Sequence, residues 1–449
     1  MPNAREGRCW PKLSTRFSSH VTVRNCSVHD NGHWNVLVTK SAQFSGGILE
    51  GGFHLIEDNE VFDGDAATCG GASNSACPGQ TYYGIHLDNN PGAGTVIRNN
   101  VVHGNVDNLV VCGDESAGRD LAEATSHVLE LTGNGEGWTN HDTVVSGNHA
   151  YDAKDDDIEL DGICVNARIF DNRFGNAENP ISMAPGLPGP YFVLRNVISG
   201  DIQQAAIKMN TAGTPNSLIR NFYFYHNTIA RSTQGTLLNL WYAVPGDHDV
   251  PIKNVVFRNN VFWAMAGGRA TDVNNQGSEH PSFDYDLWYT SDTQNVFQWW
   301  NGSSTDKYDT FSEWQAGTGQ ETHGLFAEPG LDSDFVPTSS SPVVDAALVI
   351  DGVNDGFAGA APDIGAYEVG DTPAGGTGGG SGGAAGAGAA SSGGSGGAGA
   401  VAGSSAATSS GSDDGGCGCR STPRGSTGLF SALLLVGLGL LRRFNGARS

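Results

Sequence analysis

Short apolar runs alternate with turns rich in Gly, Asn and Asp from about Val21 to about Trp263. The runs are too short for helices and too frequent for repeated strand–helix units. Many have two apolar residues flanking one variable residue, as in Ile85-His86-Leu87, Ile158-Glu159-Leu160, Ile181-Ser182-Met183, Ile207-Lys208-Met209 and Leu238-Asn239-Leu240. A period of two is typical of a strand with one buried face. The pattern therefore predicts many short strands whose middle side chains point outward.

An asparagine recurs at the ends of other apolar runs. It occurs in Val23-Arg24-Asn25, Ile97-Arg98-Asn99, Leu194-Arg195-Asn196 and Phe257-Arg258-Asn259, with variants at Asn59, Asn148, Asn172 and Asn227. Its closest members, Asn148, Asn172 and Asn196, are spaced 24 residues apart. A period in this range predicts a solenoid whose units bury their apolar face only by stacking. Two strand ladders within each coil indicate an all-β fold, the parallel β-helix.

A closing pattern follows the repeats. It consists of His323-Gly324-Leu325-Phe326, then Ser341-Pro342-Val343-Val344-Asp345-Ala346, then Pro362-Asp363-Ile364-Gly365-Ala366-Tyr367-Glu368. Together with the strand ladders, it resembles the right-handed parallel β-helix superfamily of secreted bacterial proteins, which includes polysaccharide lyases and hydrolases. The resemblance covers most of the body of the chain. It implies an architecture but no particular activity.

Composition divides the chain into five parts. Residues 1–20 are polar, and we interpret them as the end of a truncated N-terminal region because neither a secretory signal nor a cap for the first coil is visible. We assign residues 21–290 to the parallel β-helix and 291–370 to a C-terminal capping module. Residues 371–416 are almost entirely Gly, Ala, Ser and Thr, which predicts a flexible, disordered linker. Residues 417–449 contain a cysteine motif, an apolar segment and a basic end.

The C-terminal part indicates export. Cys417-Gly418-Cys419-Arg420 precedes a short apolar segment, predicted to be helical, from Leu429 to Leu441, and Arg442-Arg443 follows it. The segment is shorter than the roughly 20 residues of a spanning helix. It therefore resembles a myxobacterial-type C-terminal sorting signal more than the alternative, a permanent single-pass anchor. The resemblance implies that this end engages the membrane and the sorting machinery, and that the body lies at the cell surface or outer membrane.

The net charge limits the classes of binding partner, and the cysteine positions indicate possible disulfides. Lys and Arg total 24 and Asp and Glu total 48, and the resulting net charge of −24 argues against nucleic acid as a partner. Substrates that bring cations fit better. Cys69 and Cys77 bracket a Gly/Ser/Ala loop and suit a disulfide in an exported protein. For Cys112 and Cys164, both pairing and simple burial remain open.

Stacked coils align the middle residues of the second strand ladder. Glu159, Ser182 and Lys208 are expected to form an outward column, with about 4.8 Å between coils. Alternation places Asp157 and Asp161 beside Glu159. Other outward residues are expected near this column: Asn210 beside Lys208, Asn239 and Trp241 one coil later, and His86 several coils earlier.

The carboxylates in this column suggest a cation site. Outward carboxylates at alternating positions repel each other unless a cation lies between them, and hard oxygen ligands suit Ca²⁺. We therefore assign Asp157, Glu159 and Asp161 as candidate Ca²⁺ ligands. Asp155 and Asp156 are interpreted as part of a solvated turn.

The resemblance adds a chemistry to this cation site. Acidic polysaccharide lyases of this fold use Ca²⁺ to neutralise a uronate carboxylate and Lys or Arg as the base. This implies Lys208 as the catalytic base, with a lowered pKa, and Glu159 as its catalytic partner about 10 Å away. Trp241 is a candidate stacking platform for a sugar ring. The further candidate substrate contacts are Ser182, Asn210, Asn239 and His86.

The predicted function is a cell-surface protein that binds an acidic polysaccharide and cleaves it by Ca²⁺-assisted β-elimination. Two alternatives remain open. Glu159 with Asp157 or Asp161 could be the acid/base pair of a glycoside hydrolase, whose carboxyl groups lie about 5–9.5 Å apart. The helix could instead be a non-catalytic adhesin or scaffold on which Lys208 is an ordinary solvated side chain. A groove with a cation bound beside Glu159 favours the enzyme, whereas a flat, solvated sheet favours the scaffold.

Overall fold

In the computed structural model, the described residues are 13–16, 19–29, 31, 34–39, 43–44, 47–48, 52–62, 83–88, 92–112, 140–184, 186–209, 219–240, 252–273 and 279–373. Within these ranges the chain forms three long sheets, and each coil contributes strands to sheet A, then sheet B, then sheet C. The strands of each long sheet pair in parallel, except for one strand at the end of sheet A. The predicted all-β parallel β-helix is confirmed.

Sheet A carries the second strand ladder of the sequence. Its strands are β1 (Leu13–Arg16), β4 (Trp34–Thr39), β9 (Tyr83–Asp88), β12 (Asp107–Val110), β15 (Asp156–Glu159), β19 (Asn179–Met183), β23 (Ala205–Met209), β26 (Thr236–Leu240), β29 (Thr271–Val273), β32 (Phe297–Trp300) and β33 (Thr305–Tyr308). Strand β33 is antiparallel to β32 and ends the sheet.

Sheets B and C carry the strands on either side of the recurring asparagine. Sheet B comprises β2 (Thr22–Arg24), β7 (Leu55–Glu57), β10 (Val96–Arg98), β13 (Val144–Ser146), β16 (Gly162–Cys164), β17 (Ala167–Phe170), β20 (Gly186–Pro188), β21 (Tyr191–Leu194), β24 (Ile219–Tyr225), β27 (Ile252–Arg258) and β30 (Ser282–Asp284). Sheet C comprises β3 (Ser27–His29), β8 (Glu60–Phe62), β11 (Val101–His103), β14 (His149–Tyr151), β18 (Arg173–Gly175), β22 (Val197–Gly200), β25 (Thr228–Arg231), β28 (Val261–Ala264), β31 (Leu287–Thr290) and β34 (Leu325–Phe326). Strands β5 (Gln43–Phe44) and β6 (Gly47–Ile48) form a separate antiparallel pair.

The corner between sheets B and C uses two consecutive residues in each coil. The first has a left-handed backbone with positive φ, which Asn, Asp and Gly adopt most readily; this position is occupied by Asn25, Asp58, Asn99, Gly147, Asp171, Arg195, His226, Asn259 and Tyr285. The second is a buried asparagine that bonds to the next coil. These buried residues, here called the asparagine ladder, are Asn59, Asn100, Asn148, Asn172, Asn196, Asn227 and Asn260.

The recurring asparagine of the sequence therefore combined two structural columns. Asn25, Asn99 and Asn259 occupy the left-handed position, one residue before the ladder. The sequence alone does not distinguish the two positions, because Asn99-Asn100 and Asn259-Asn260 have an asparagine at both. Coil length between ladder members varies from 24 to 48 residues, since coils differ only in the loops they carry.

The interior changes character along the helix. Val, Ile and Leu fill the first coils, whereas rings stack in the last ones. Phe257 lies 4.6 Å from both Phe224 and Phe283 between ring centroids. Helix α1 (Phe311–Thr318) then buries Trp314 against the final coil, with its ring 4.6 Å from that of Phe297. This helix covers the apolar end that a solenoid otherwise exposes.

The segment after α1 runs back along the corner between sheets B and C instead of only closing the end. Asn259 donates to the carbonyl of Leu348, His226 bonds to the carbonyl of Asp363, and Arg195 donates to that of Val353. Val343 and Ile364 pack with Val261 and Leu287 on the outside of sheet C. We call residues 327–373 the strap, because they contact several successive coils.

No helix within the described ranges is long and apolar enough to cross a membrane. Most of the predicted linker, and the predicted sorting segment with its apolar run and paired arginines, lie outside the described residues.

Candidate functional site

The outward column predicted on sheet A is present. In the register of the sheet, Glu159 lies beside Ser182, Ser182 beside Lys208, and Lys208 beside Asn239. His86 lies in the same column two strands before Glu159, since Val110 pairs with both. The apolar residues that flank His86, Glu159, Ser182 and Lys208 point into the core. The pleat of the strands and the parallel stacking together explain the alignment.

The outward polar side chains of this face are buried, and we call this part of sheet A the recess. Ser182 is fully buried, Glu159 is 5% exposed and His86 is 7% exposed, although all three point away from the core. The side chain of Lys208 is 19% exposed. Such burial of outward polar residues is the opposite of the flat, solvated sheet expected for a display scaffold.

Three aspartates meet on the floor of the recess, and we call them the aspartate cluster. Asp107, Asp155 and Asp156 each bring one carboxylate oxygen to within 4.8 Å of the others. Asp107 and Asp156 come from neighbouring strands, and the Asp156 amide donates to Asp107 Oδ1 at 3.1 Å. Carboxylates this close repel each other strongly when buried.

Burial and mutual repulsion perturb these groups. Burial, followed by the charge of Asp155, raises the pKa of Asp107 to about 8. Burial also raises the pKa of Asp156 well above its usual range, although the ammonium of Lys208 opposes the shift. The cluster therefore favours cations and protons over its fully ionised, unoccupied form.

Lys208 reaches back into the aspartate cluster. Its Nζ lies 2.9 Å from Asp156 Oδ2 and 3.8 Å from Asp155 Oδ1. Burial lowers the pKa of Lys208, but Asp156, Asp161 and Asp155 outweigh burial and raise the pKa above its ordinary value. The predicted lowered pKa is therefore wrong for the protein without a bound cation. Counting strands alone could not reveal this, because a lysine side chain extends across neighbouring strands.

Two of the predicted Ca²⁺ ligands, Asp157 and Asp161, lie in different parts of the structure. Asp157 is fully buried at the corner between sheets C and A, where its oxygens accept from Asn108 Nδ2 at 2.9 Å and from the Gly175 amide at 2.7 Å. The expectation that it points outward beside Glu159 is wrong, because the alternation breaks where β15 leaves the corner. Asp161 does lie beside the column, and its Oδ1 accepts from Ser182 Oγ at 3.0 Å.

Asp156 takes the outward place expected for Asp157. It is only 3% exposed, so the interpretation of this residue as part of a solvated turn is wrong. Asp155 is more open, with 39% of its side chain exposed. Asp107 was missed altogether, although the repeat contains a signal for it. The sequence Asp107-Asn108-Leu109-Val110 aligns with Asp156-Asp157-Ile158-Glu159 as one strand pattern.

Asn179 adds an oxygen to this region. It is the register partner of Asp156 on the next strand and is 2% exposed. Its Oδ1 is buried and has no hydrogen-bond partner within the described ranges. An unsatisfied buried carbonyl oxygen is costly unless a ligand or water completes it. Three carboxylates and one amide oxygen are the donor types that Ca²⁺ prefers, so this set of residues fits a calcium ion.

Aromatic side chains lie on the same sheet, towards its first strands. Trp34 and Tyr83 share a register column with Asp107. The ring centroids of Tyr83 and His86 are 4.3 Å apart, and those of Trp34 and His86 are 6.4 Å apart. His86 therefore joins an aromatic group two strands from Glu159.

An open groove flanks the aspartate cluster at the corner between sheets C and A. Its volume is about 640 Å³, and it is lined by Asp152, Ala153, Lys154, Asn176, Glu178, Asp201 and Gln203. Burial, followed by the charge of Asp155, raises the pKa of Glu178, whereas Lys208 opposes the shift. These interactions connect the groove electrostatically to the cluster.

Four of the remaining predicted residues lie outside the described ranges: Trp241, Asn210, Cys69 and Cys77. The open question about the other cysteines is resolved. Cys112 and Cys164 form a disulfide with their Cα atoms 5.1 Å apart. It joins the end of one sheet A strand to strand β16 of sheet B, directly behind the recess.

No protein-family model matches this chain, and no curated protein matches it. The solved structures that are similar to it include the following two. The crystal structure of pectate lyase Pel9A is 13% identical, with 80% of this chain and 77% of that chain covered and a TM-score of 0.39. The structure of XylC in complex with xylose is 14% identical, with 72% of this chain covered and a TM-score of 0.38; the match spans half the length of XylC.

Proposed function

We propose that the recess on sheet A binds an acidic polysaccharide together with Ca²⁺ and cleaves it by β-elimination. The observation that carries the proposal is the aspartate cluster with Lys208 directed into it. A buried group of carboxylates without enough positive charge to balance it is unfavourable for folding alone, since charge burial is costly unless it is compensated. Such an arrangement is better explained by a cationic ligand.

The residues of the cluster have distinct roles in this proposal. Asp107, Asp155 and Asp156 hold the ion, and Asn179 supplies a neutral oxygen beside them. When bound, Ca²⁺ neutralises these carboxylates and the uronate carboxylate of the sugar, which acidifies the proton alpha to that carboxylate. With an ion bound, Asp155 and Asp156 would raise the pKa of Lys208 less, which would favour its neutral amine.

Lys208 then acts as the base. Its Nζ takes the proton from the carbon alpha to the carboxylate, and that electron pair forms the new carbon–carbon double bond. The glycosidic carbon–oxygen bond breaks, and the leaving oxygen takes a proton from water. Asn239 flanks Lys208 in the register and is partly exposed, so its side chain can orient a sugar hydroxyl. Ser182, on the other side, is fully buried and holds Asp161 through its hydroxyl. The aromatic group of Trp34, Tyr83 and His86 extends the binding surface along the helix axis.

The test is an assay for the unsaturated product. The protein is incubated with pectate, alginate and glycosaminoglycans, and ultraviolet absorbance is followed with Ca²⁺ and with EDTA. We expect product from at least one uronate polymer, loss of activity with EDTA, and a loss of at least about 100-fold in Lys208→Ala, the scale of general base catalysis. Absence of product from every polymer would refute the lyase proposal.

Lys253→Ala is the matched control. Lys253 also lies on a strand and pairs with a carboxylate, Glu279, at 3.6 Å, but it belongs to sheet B and is half exposed. We expect its loss to leave activity unchanged. Equal losses in both lysine variants would mean that charge or stability, not a base, accounts for the effect.

A glycoside hydrolase remains the second candidate, and one observation favours it. Burial raises the pKa of Asp107 to about 8, so this buried carboxyl group keeps its proton near neutral pH, as a general acid requires. The same incubation separates the two reactions. Hydrolysis releases reducing ends without the absorbance of an unsaturated product and needs no Ca²⁺.

Export is also part of the proposal. The disulfide between Cys112 and Cys164 is typical of proteins that fold in an oxidising compartment. We propose the cell surface as the destination, consistent with the sorting signal that the C-terminal sequence resembles. Fractionation of cells that produce the full chain tests this: recovery of the protein only in the cytoplasm would contradict it.

A further inference from the structure

The asparagine ladder follows one bonding rule from coil to coil. The Oδ1 of Asn172 accepts from the backbone N–H of Asn148 at 3.0 Å and from its Nδ2 at 2.9 Å. The Oδ1 of Asn196 accepts the same two bonds from Asn172. Each side chain therefore presents an oxygen to the coil before it and an N–H to the coil after it. Continuation of the ladder requires both atoms.

The rule changes at the last coil, where carboxyl groups replace amides. Asp286 Oδ1 accepts from the backbone N–H of Asn260 at 2.6 Å and from its Nδ2 at 2.8 Å, as a ladder asparagine does. The backbone N–H of Asp286 then donates to Glu321 Oε2 at 3.2 Å. Glu321 thus provides the oxygen of the next rung, although it comes from the segment that follows α1.

The remaining contact of this last rung lacks a nitrogen donor. In a ladder asparagine Nδ2 donates to the next oxygen, but Asp286 has Oδ2 at that place, facing the carboxyl of Glu321. Within the described ranges no N–H or O–H donor reaches Asp286 Oδ2, and both residues are fully buried. The other oxygen of Glu321 is already used, because it accepts from Trp288 Nε1 at 2.7 Å.

We propose that one proton shared between Asp286 and Glu321 completes the ladder, and that it makes the stability of the last coil of the helix fall as the pH rises. A carboxyl O–H between the two acids takes the place of the asparagine N–H, and the Asp–Glu pair carries one negative charge instead of two. This proton locks the final coil, with β31, to the segment after α1.

Among the described residues, no cationic side chain pairs with Asp286 or Glu321 in place of this proton. Arg258, on the preceding coil, lowers the pKa of Asp286 through its charge, but it donates to the Phe257 carbonyl and to Ser282. On the outer surface His323 pairs with Asp284 at 2.9 Å. Burial is the largest cause that raises the pKa of both acids; for Glu321 the charge of Asp286 comes next, and Trp288 opposes it.

The sign of the pH dependence follows from where the proton is held. In the unfolded chain Asp286 loses its proton near pH 4, whereas in the folded chain burial raises its pKa to about 7. Between these values the folded state holds one more proton. The contribution of this proton to stability is therefore fully present below about pH 4. Its loss lowers the folding equilibrium constant about tenfold for each pH unit between about 4 and 7.

The experiment compares the full chain with its Asp286→Asn variant in urea unfolding from pH 4 to pH 8. The variant keeps every ladder bond, because its Nδ2 donates to Glu321 without an added proton. We expect the ratio of the two folding equilibrium constants, variant over wild type, to rise about tenfold per pH unit between about 4 and 7. A ratio independent of pH would overturn the proposal.

Asp58→Asn is the matched control. Asp58 is exposed at the left-handed corner position, where other coils carry asparagine, so the same chemical change occurs without a buried pair. We expect its ratio to stay flat with pH. Infrared spectroscopy gives a second measurement on the folded proteins. The carbonyl band of a protonated carboxylic acid should be present near pH 5.5 in wild type and reduced in Asp286→Asn, and an unchanged band would count against the shared proton.

Discussion

The asparagine ladder and the aspartate cluster are both columns of buried polar side chains, but their hydrogen bonding differs. Every internal rung of the ladder is satisfied by neighbouring coils, as Asn172 is by Asn148, Asn196 and the Val145 carbonyl. The cluster instead gathers carboxylates around one ammonium and leaves Asn179 Oδ1 without a partner in the described part of the chain. A satisfied column stabilises a fold, whereas an unsatisfied one indicates a ligand.

The largest expected effect comes from breaking the ladder. Asn172→Ala leaves the backbone N–H of Asn148 buried without an acceptor, removes one bond from its Nδ2, and removes the bonds that Asn172 Nδ2 donates to the Val145 carbonyl and to Asn196. Since a stranded buried donor costs about 1–3 kcal/mol and each lost hydrogen bond about 1 kcal/mol, we expect a loss of about 4 kcal/mol in the free energy of unfolding, measured in urea. Ser182→Ala in the recess is the comparison and should cost less than half as much. Similar losses at both positions would erase the distinction between the two columns.

An intermediate effect is expected at His226, where the corner meets the strap. Its Nε2 accepts from the amides of Asn259 and Asn354, and burial lowers its pKa to about 4. The unfolded chain takes up this proton near pH 6.5, so stability present above that pH is lost on acidification towards pH 4. The expected loss is about 3 kcal/mol at most.

Hydrogen exchange of strap amides at pH 7 and pH 4.5 measures this effect. We expect the strap to lose protection at the lower pH before the interior strands do, because a protonated Nε2 faces two amide donors. His20 provides the control: it also has a left-handed backbone but is exposed, and His20→Asn should not alter the pH response. A strap that stays protected at pH 4.5 would contradict the prediction.

The smallest expected effect concerns the aspartate cluster and the residue beside it, Asn179. At a Ca²⁺ concentration 100-fold above its dissociation constant, binding to the folded state alone stabilises the wild type by about 2.7 kcal/mol. Asn179→Ala should reduce this stabilisation by about 1.4 kcal/mol, a tenfold loss of affinity, while changing stability in EDTA much less. Thermal unfolding with Ca²⁺ and with EDTA measures both quantities. If Ca²⁺ shifts the two proteins equally, Asn179 is not a ligand.

Much of the site could be predicted because the apolar–variable–apolar triplets report the pleat directly. They placed Glu159, Ser182 and Lys208 in one outward column, and the register of sheet A agrees. The triplets could not predict which side chains point outward at the corner between sheets C and A, because the alternation stops there. Asp157 therefore turns inward to Asn108 and Gly175, and Asp156 takes its outward place.

The local sequence pattern also did not predict contacts between residues that are far apart in sequence. Asp107 precedes Asp156 by 49 residues, about two standard coils, yet it lies on the adjacent strand because its coil carries a long insertion. Glu321 completes a ladder whose preceding rung is 35 residues away. Neither pairing has a fixed spacing along the chain, since that spacing depends on loop lengths that the core does not constrain.

The sequence by itself determined the parallel β-helix and the outward column, because the burial of alternate residues on stacked strands leaves one register that keeps apolar side chains inside. Only the tertiary structure decided which charges share a buried site. It brought Asp107 and Lys208 to Asp156 and gave Asp286 a carboxyl partner in Glu321. These pairings depend on side-chain reach and on loops of variable length, so they arise only when the coils are stacked.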